Sequence, residues 1–106
     1  MGLFGFGEKP SINDSVKLCK ETPSAVLLDV QDADEFATGH IPGAVNLPLS
    51  SICEAEDRFP DADTPLFVYC LSGARSSRGV AALAEMGFTK VKNIGGIRSY
   101  SGELEK

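Results

Sequence analysis

The sequence predicts an α/β domain with three layers (α/β/α), in which a mainly parallel sheet of four to five strands lies between helices. Four short apolar runs of strand length lie at residues 25–30, 44–47, 66–69 and 91–94, and segments with helical spacing separate them. The runs at 25–30 and 66–69 are apolar almost throughout, which is typical of strands buried on both faces of a parallel sheet. A chain of 106 residues is long enough for one such domain.

Four segments with helical spacing connect the predicted strands. The first places Ile12, Val16 and Cys19 on one face behind a cap at Ser11 or Asn13, so Cys19 is interpreted as a packing residue. The other three cover residues 32–38, 50–59 and 76–86, and they end at Gly39, Pro60 and Gly87.

Composition and charge exclude several classes of function. Ten Lys and Arg residues against 15 Asp and Glu residues give a net charge of -5, the wrong sign for binding phosphate backbones, so no nucleic-acid partner is expected. No apolar run approaches the roughly 18 residues that span a bilayer, and residues 1–7 lack the length and basic leader of a signal peptide. We therefore expect no membrane association, a cytoplasmic location, a flexible arm over residues 1–10 and a single domain over residues 11–106.

The three cysteines, Cys19, Cys53 and Cys70, are odd in number and contain no C-x-x-C spacing. Neither a disulfide framework nor a metal site is therefore expected. Cys53 is interpreted as a half-buried helix residue, which leaves Cys70 as the candidate for chemistry.

Cys70 is the only nucleophile among the residues that follow the predicted strands. In an open parallel sheet the ligand site lies beyond the carboxyl ends of the strands. The turn after Cys70 is built of small residues, with Gly73 free to adopt a positive φ, so that successive amides can form an anion-binding nest. A helix N-terminus and a nearby Arg75 lower the pKa of such a thiol. The Ser72 hydroxyl either donates a hydrogen bond to bound sulfur or only makes the turn easier to form. Arg78 either adds to the positive electrostatic field at the thiol or is only solvated.

At these residues the sequence resembles the rhodanese-like domain family. The resemblance extends over roughly residues 12 to 100, and its two most specific strings are G-H-I-P-G-A, which begins at Gly39, and C-x-x-G-x-R-S, which begins at Cys70. The other matching segments are Leu27-Leu28-Asp29-Val30, Glu35-Phe36, Asn46, Pro48 and Gly95-Gly96.

The resemblance implies a sulfurtransferase that works without a cofactor, since the cysteine itself carries the sulfur. Cys70 would accept a sulfane sulfur from thiosulfate or a persulfide donor and pass it to a thiol or cyanide. The substrate-binding loop would comprise Leu71, Ser72, Gly73, Ala74 and Arg75, with Asp29 and Ser76 behind it. Asp29 either fixes the loop by accepting backbone hydrogen bonds or caps the following helix, and His40 is expected to be structural.

Two positions depart from the family pattern. Gln31 stands where the family usually has Arg, which puts an ion pair in doubt, and Tyr100 stands where it usually has Trp. Arg75 is the sole cation of the loop, so a persulfide donor is favoured over the dianion thiosulfate. The partners expected are small donors and thiols, with a protein acceptor left open, and the chain is expected to be a monomer.

Two other functions compete with this reading. Cysteine-dependent phosphatases and arsenate reductases place five residues between Cys and Arg, whereas four residues separate Cys70 from Arg75. A non-catalytic interaction module could use the same fold, but an inactive member would be expected to lose the nucleophile, which is present here.

Overall fold

The computed structural model describes residues 10–106 and contains one sheet of four strands, all parallel. The strands are β1 (Val26–Asp29), β2 (Val45–Asn46), β3 (Leu66–Cys70) and β4 (Val91–Gly96). Their order across the sheet is β2-β1-β3-β4, so β1 and β3 are central. The four strands lie at the four predicted apolar runs, and the predicted parallel arrangement is confirmed.

Helices cover both faces of this sheet. They are α1 (Ile12–Glu21), α2 (Ala33–Thr38), α3 (Ala55–Arg58) and α4 (Ala74–Glu85), with 3-10 turns at Leu49–Glu54 and Ile97–Ser99. The helix predicted over residues 50–59 is therefore a 3-10 turn followed by one α-helical turn. The last helix begins two residues earlier than predicted, and Gly87 ends it with a φ of 105°, as expected of a left-handed cap.

Alternation along the central strands divides the core into two layers. Leu27, Phe67 and Tyr69 pack with α1 on one face, whereas Leu28, Val68 and Cys70 pack on the other face with residues of α3 and α4. Every residue of β3 is buried. Burial of each large apolar side chain contributes about 2 kcal/mol, so β3, which ends at Cys70, is a firmly held part of the molecule.

The predicted helix cap and structural histidine are confirmed. The Ser11 side chain accepts a hydrogen bond from the Asp14 amide at 3.1 Å. Asn13 instead accepts one from the Ser101 amide at 3.0 Å, which ties the C-terminal segment to α1. The His40 ring lies 2.8 Å from the Phe36 carbonyl oxygen through Nδ1, and its backbone pairs with Glu105.

The two other cysteines differ in their surroundings. Cys19 is buried in the core beneath α1, as predicted, whereas Cys53 is exposed and not half-buried. Cys53 lies in the 3-10 turn, whose core contacts are made by Leu49 and Ile52.

Nearly all of the predicted arm over residues 1–10 lies outside the described residues. Between residues 10 and 106 no helix has both the length and the apolar character needed to cross a membrane.

Candidate active site

Cys70 is the last residue of β3 and lies at the carboxyl end of the sheet. Its side chain is fully buried, with 0% exposure. The sulfur accepts hydrogen bonds from the Gly73 amide at 3.0 Å and the Ser76 amide at 3.3 Å, and Ser76 Oγ lies 3.5 Å away. The turn predicted from the sequence therefore closes over the thiol and directs N–H groups at it.

Gly73 permits this closure. Its φ of 101° lies in the left-handed region that favours glycine, and it directly precedes α4. Of the first three amides of α4, which have no partner within the helix, Ser76 N bonds to the sulfur. Ser77 N makes the first regular helical bond, to the Gly73 carbonyl. The amides of Ala74 and Arg75 have no acceptor among residues 10–106, so the N-terminus of this 12-residue helix offers free donors to an anion.

Hydrogen bonding outweighs burial in setting the acidity of the thiol. Burial raises the pKa of Cys70, but bonds from the Ser76 side chain and from the amides of Ser76, Gly73 and Ser72 lower it, and the net pKa lies below the ordinary value for cysteine. The site therefore favours the thiolate, which is the nucleophilic form.

Asn93 of β4 holds the active-site loop in place through side-chain hydrogen bonds. Its Nδ2 donates to the Gly73 carbonyl at 3.2 Å, while its Oδ1 accepts from Ser76 Oγ at 2.7 Å and from the Gly95 amide at 3.0 Å. Asn93 therefore orients both the residue that closes the loop and the hydroxyl that faces the sulfur. Sequence reasoning missed this residue, because the parallel pairing of β3 with β4 is what brings it beneath the loop.

Gly96 allows the loop to lie directly on β4. A Cβ at this position would lie 2.6 Å from the Ser72 Cα and would also clash with the Leu71 carbonyl oxygen. That oxygen accepts a hydrogen bond from the Arg98 amide at 3.3 Å. The glycine pair thus has a steric role in the site in addition to marking the family pattern.

Arg75 is paired with a carboxylate. Its guanidinium donates to both oxygens of Glu35, at 2.7 and 2.9 Å, and the two side chains are 31% and 34% exposed. The hydrogen bonds from Arg75 lower the pKa of Glu35. Glu35 also accepts the Asp32 amide at the start of α2. The cation predicted to act alone in the loop is thus largely neutralised by Glu35, a partner 40 positions away that no sequence pattern indicates.

Asp29 has neither of the two roles expected for it. The carboxylate is fully buried and accepts from the Gln31 amide at 2.8 Å and the Gln31 side chain at 3.0 Å. Asp32, not Asp29, stands at the N-cap of α2, and Asp29 makes no hydrogen bond to residues 71–75. Burial raises its pKa, although the Tyr69 hydroxyl and Gln31 oppose this. Gln31 stands where the family usually has Arg, and its neutral amide hydrogen-bonds to Asp29 in place of an ion pair.

The structure brings together Cys70, Gly73 and Ser76 as expected, and it leaves other predicted residues at the periphery. The side chains of Ser72 and Ala74 are exposed, and Leu71 is half-buried against the α1 layer of the core. Arg78 is exposed on α4. Any part that Leu71, Ser72 and Ala74 take in substrate binding therefore depends on their backbone amides more than on their side chains.

The chain belongs to the rhodanese-like domain family, whose sequence profile matches residues 13–103. Among relatives, a protein named thiosulfate sulfurtransferase GlpE from Actinobacillus succinogenes is 43% identical over 82 residues, which is 76% of this chain and 72% of that protein. The uncharacterized protein YqhL of Bacillus subtilis is 35% identical over 82 residues, and this chain spans only 64% of its length. The solved structure of a "rhodanese with anions" from Escherichia coli superposes with a TM-score of 0.72 at 30% identity and covers 77% of this chain and 98% of that one. By these relationships the enzyme class is a rhodanese-type sulfurtransferase.

Proposed function

We propose that this protein carries a sulfane sulfur on Cys70 as a persulfide and transfers it to an acceptor thiol or to cyanide. The observation that carries the proposal is the surroundings of the Cys70 sulfur, where two amides at 3.0 and 3.3 Å stabilise a thiolate. The family relationship supports the reaction class, and the geometry around the sulfur supports the roles proposed for the residues.

The first half-reaction is an attack of the Cys70 thiolate on the outer sulfur of the donor. With thiosulfate, a new S–S bond forms to Cys70, the S–S bond of the donor breaks, and sulfite leaves with the bonding electron pair. The negative charge remains on the persulfide. Amides directed at the sulfur stabilise this charge without reorganisation.

The second half-reaction returns the cysteine to its starting state. An acceptor thiolate attacks the outer sulfur of the persulfide, the acceptor becomes the persulfide, and Cys70 leaves as a thiolate. The bonds from Gly73 and Ser76 that favour the resting thiolate also stabilise this leaving group. No cofactor is needed, because the charge and the sulfur are both carried by Cys70.

The loop residues 71–75 contribute mainly through their backbone. The open amides of Ala74 and Arg75 at the start of α4 are suited to the anionic end of a donor or to the outer sulfur. Because Glu35 neutralises Arg75, the site offers less positive charge than a dianion requires. A persulfide donor is therefore favoured over thiosulfate as the physiological substrate.

Steady-state kinetics test this proposal. Two half-reactions through one covalent intermediate produce ping-pong kinetics, so double-reciprocal plots at several acceptor concentrations should be parallel. Cys70→Ser should abolish turnover, whereas Cys53→Ser, which removes an exposed thiol, should retain it. Intersecting lines would contradict a free persulfide intermediate, and full activity in Cys70→Ser would remove the assigned carrier.

A further inference from the structure

Glu35 of α2 is a charged side chain beside the active-site loop, and neither half-reaction described above uses it. Its carboxylate accepts a hydrogen bond from the Asp32 amide at 2.9 Å, which fixes it at the start of α2. No residue of α2 is buried, so Glu35 fills no position in the core. Both of its oxygens accept from the guanidinium of Arg75, at 2.7 and 2.9 Å. The strongest contacts of Glu35 are thus polar, and they are made with the active-site loop.

Arg75 links Glu35 to the reacting sulfur. It directly precedes Ser76, whose amide lies 3.3 Å from Cys70 Sγ, and its own amide has no acceptor among the described residues. The hydrogen bonds to Glu35 raise the pKa of Arg75 most, and the negative charges of Glu35, the Cys70 thiolate and Asp32 raise it further. The charge on Arg75 therefore acts on the sulfur and on an anion that binds at the start of α4.

The carboxylates beside Arg75 cancel the positive charge of the active-site loop, residues 71–75. Arg75 is the only charged residue in this stretch of sequence, and Glu35 pairs with it directly. Asp32 adds a second negative charge that acts on the guanidinium. The energy of a donor in this field is proportional to the charge of the donor. A doubly charged donor therefore responds more strongly than a singly charged one to any change in the balance between Glu35 and Arg75.

We propose that Glu35 determines the charge of the sulfur donor: by cancelling Arg75, it makes the site select a donor with one negative charge over a donor with two. This inference rests on the proposed sulfur transfer and names the residue that sets its donor class. With either donor, the outer sulfur forms an S–S bond to Cys70, and the leaving group departs with the electron pair of the bond that breaks. Glu35 takes no part in bond formation.

The test compares thiosulfate, a dianion, with methanethiosulfonate, a monoanion in which a methyl group replaces one oxygen. Cys70 displaces sulfite from the first and methanesulfinate from the second. The measured quantity is the ratio of kcat/KM for thiosulfate to kcat/KM for methanethiosulfonate, with the full chain and with cyanide as the acceptor. Glu35→Gln keeps the length of the side chain and an oxygen for the Asp32 amide. It should raise this ratio about fivefold, the upper end for an exposed ion pair.

A second variant and the salt concentration test the same charge balance. Arg75→Gln leaves the charge of Glu35 without its partner, so the ratio should fall below that of wild type. Glu35→Asp keeps the negative charge and should stay close to the wild-type ratio. At about 1 M salt, where the screening length falls to ~3 Å, the rise in Glu35→Gln should shrink.

Asp34→Asn is the matched control, because Asp34 is an exposed carboxylate of the same helix and is not the partner of Arg75. An equal rise in Asp34→Asn would show a general effect of net charge and would overturn the inference. An unchanged ratio in Glu35→Gln, including a loss of rate shared equally by both donors, would show a purely structural role and would also overturn it. Persulfide that forms on Cys70 from both donors with a ratio insensitive to Glu35 refutes this inference alone, whereas failure to form persulfide refutes the proposed function.

Discussion

Replacing Ser76 with alanine should raise the pKa of the Cys70 thiol, because it removes a side chain that lowers this pKa. The Ser76 hydroxyl is 3.5 Å from the sulfur. Burial raises the pKa of Cys70, and the hydrogen bond with the Ser76 side chain is the largest of the effects that lower it. A hydrogen bond to a charged group contributes about 1.5–3 kcal/mol. The Ser76 hydroxyl has one proton and donates it to Asn93 Oδ1 at 2.7 Å, so the thiolate shares that proton with Asn93. The loss of thiolate stabilisation in Ser76→Ala is therefore at the lower end of that range, about 1.5 kcal/mol.

The pKa can be measured from the ultraviolet absorbance of the thiolate as a function of pH. A Cys53→Ser background removes the exposed thiol, and the buried Cys19, whose pKa is raised by burial, titrates at higher pH in every variant. Ser77→Ala is the matched control, because Ser77 follows Ser76 on α4 and its side chain is exposed. It should leave the Cys70 titration in place.

The change in pKa has a predicted consequence for the rate. The wild-type thiol is ionised at a lower pH than an ordinary cysteine, so persulfide formation should persist as the pH falls below the usual thiol range. Ser76→Ala should lose most activity at neutral pH and regain part of it at alkaline pH, where its thiol also ionises. An unchanged or lowered midpoint in Ser76→Ala would refute the reasoning that this hydroxyl stabilises the thiolate.

Three further substitutions test the supports of the loop. Asn93→Ala should lower kcat/KM for persulfide formation about tenfold, which is a loss of about 1.4 kcal/mol. In the double variant with Ser76→Ala, the loss should be smaller than the sum of the two single losses. Full additivity would contradict the coupling of Asn93 with Ser76. Glu35→Gln should reduce the free energy of unfolding by about 0.5 kcal/mol at neutral pH. Because Arg75 lowers the pKa of Glu35, this difference in stability should vanish as the pH falls through that pKa. A difference that does not change with pH would exclude the ion pair as its cause. Gly96→Ala should displace the loop and cost about 2 kcal/mol in thermal or denaturant unfolding, whereas wild-type stability and activity would show that the loop does not lie on this residue.

The sheet and the position of the candidate nucleophile could be predicted from the sequence because both depend on local patterns. The apolar runs at 25–30 and 66–69 have the composition of strands buried on both faces, and they form the two central strands. Cys70 could be placed at the carboxyl end of the sheet because the carboxyl ends of parallel strands share one edge.

The supports of the loop could not be predicted, because they depend on contacts between residues distant in sequence. Asn93 bonds to Ser76 across 17 positions, and Glu35 pairs with Arg75 across 40. Neither partner has a spacing that marks it in the sequence. The sequence predicts the correct edge of the sheet for Asp29, but the Asp29 carboxylate accepts its hydrogen bonds from Gln31, a residue that departs from the family pattern.

Intact-protein mass spectrometry tests the central claim most directly. The full chain is incubated with thiosulfate or a persulfide donor, freed of excess donor, and compared with Cys70→Ser and Cys53→Ser. The account predicts a gain of one sulfur mass in wild type and Cys53→Ser, its loss on addition of cyanide, and no gain in Cys70→Ser. Absence of the added sulfur with every donor, or its presence in Cys70→Ser, would contradict the assignment of Cys70 as the sulfur carrier.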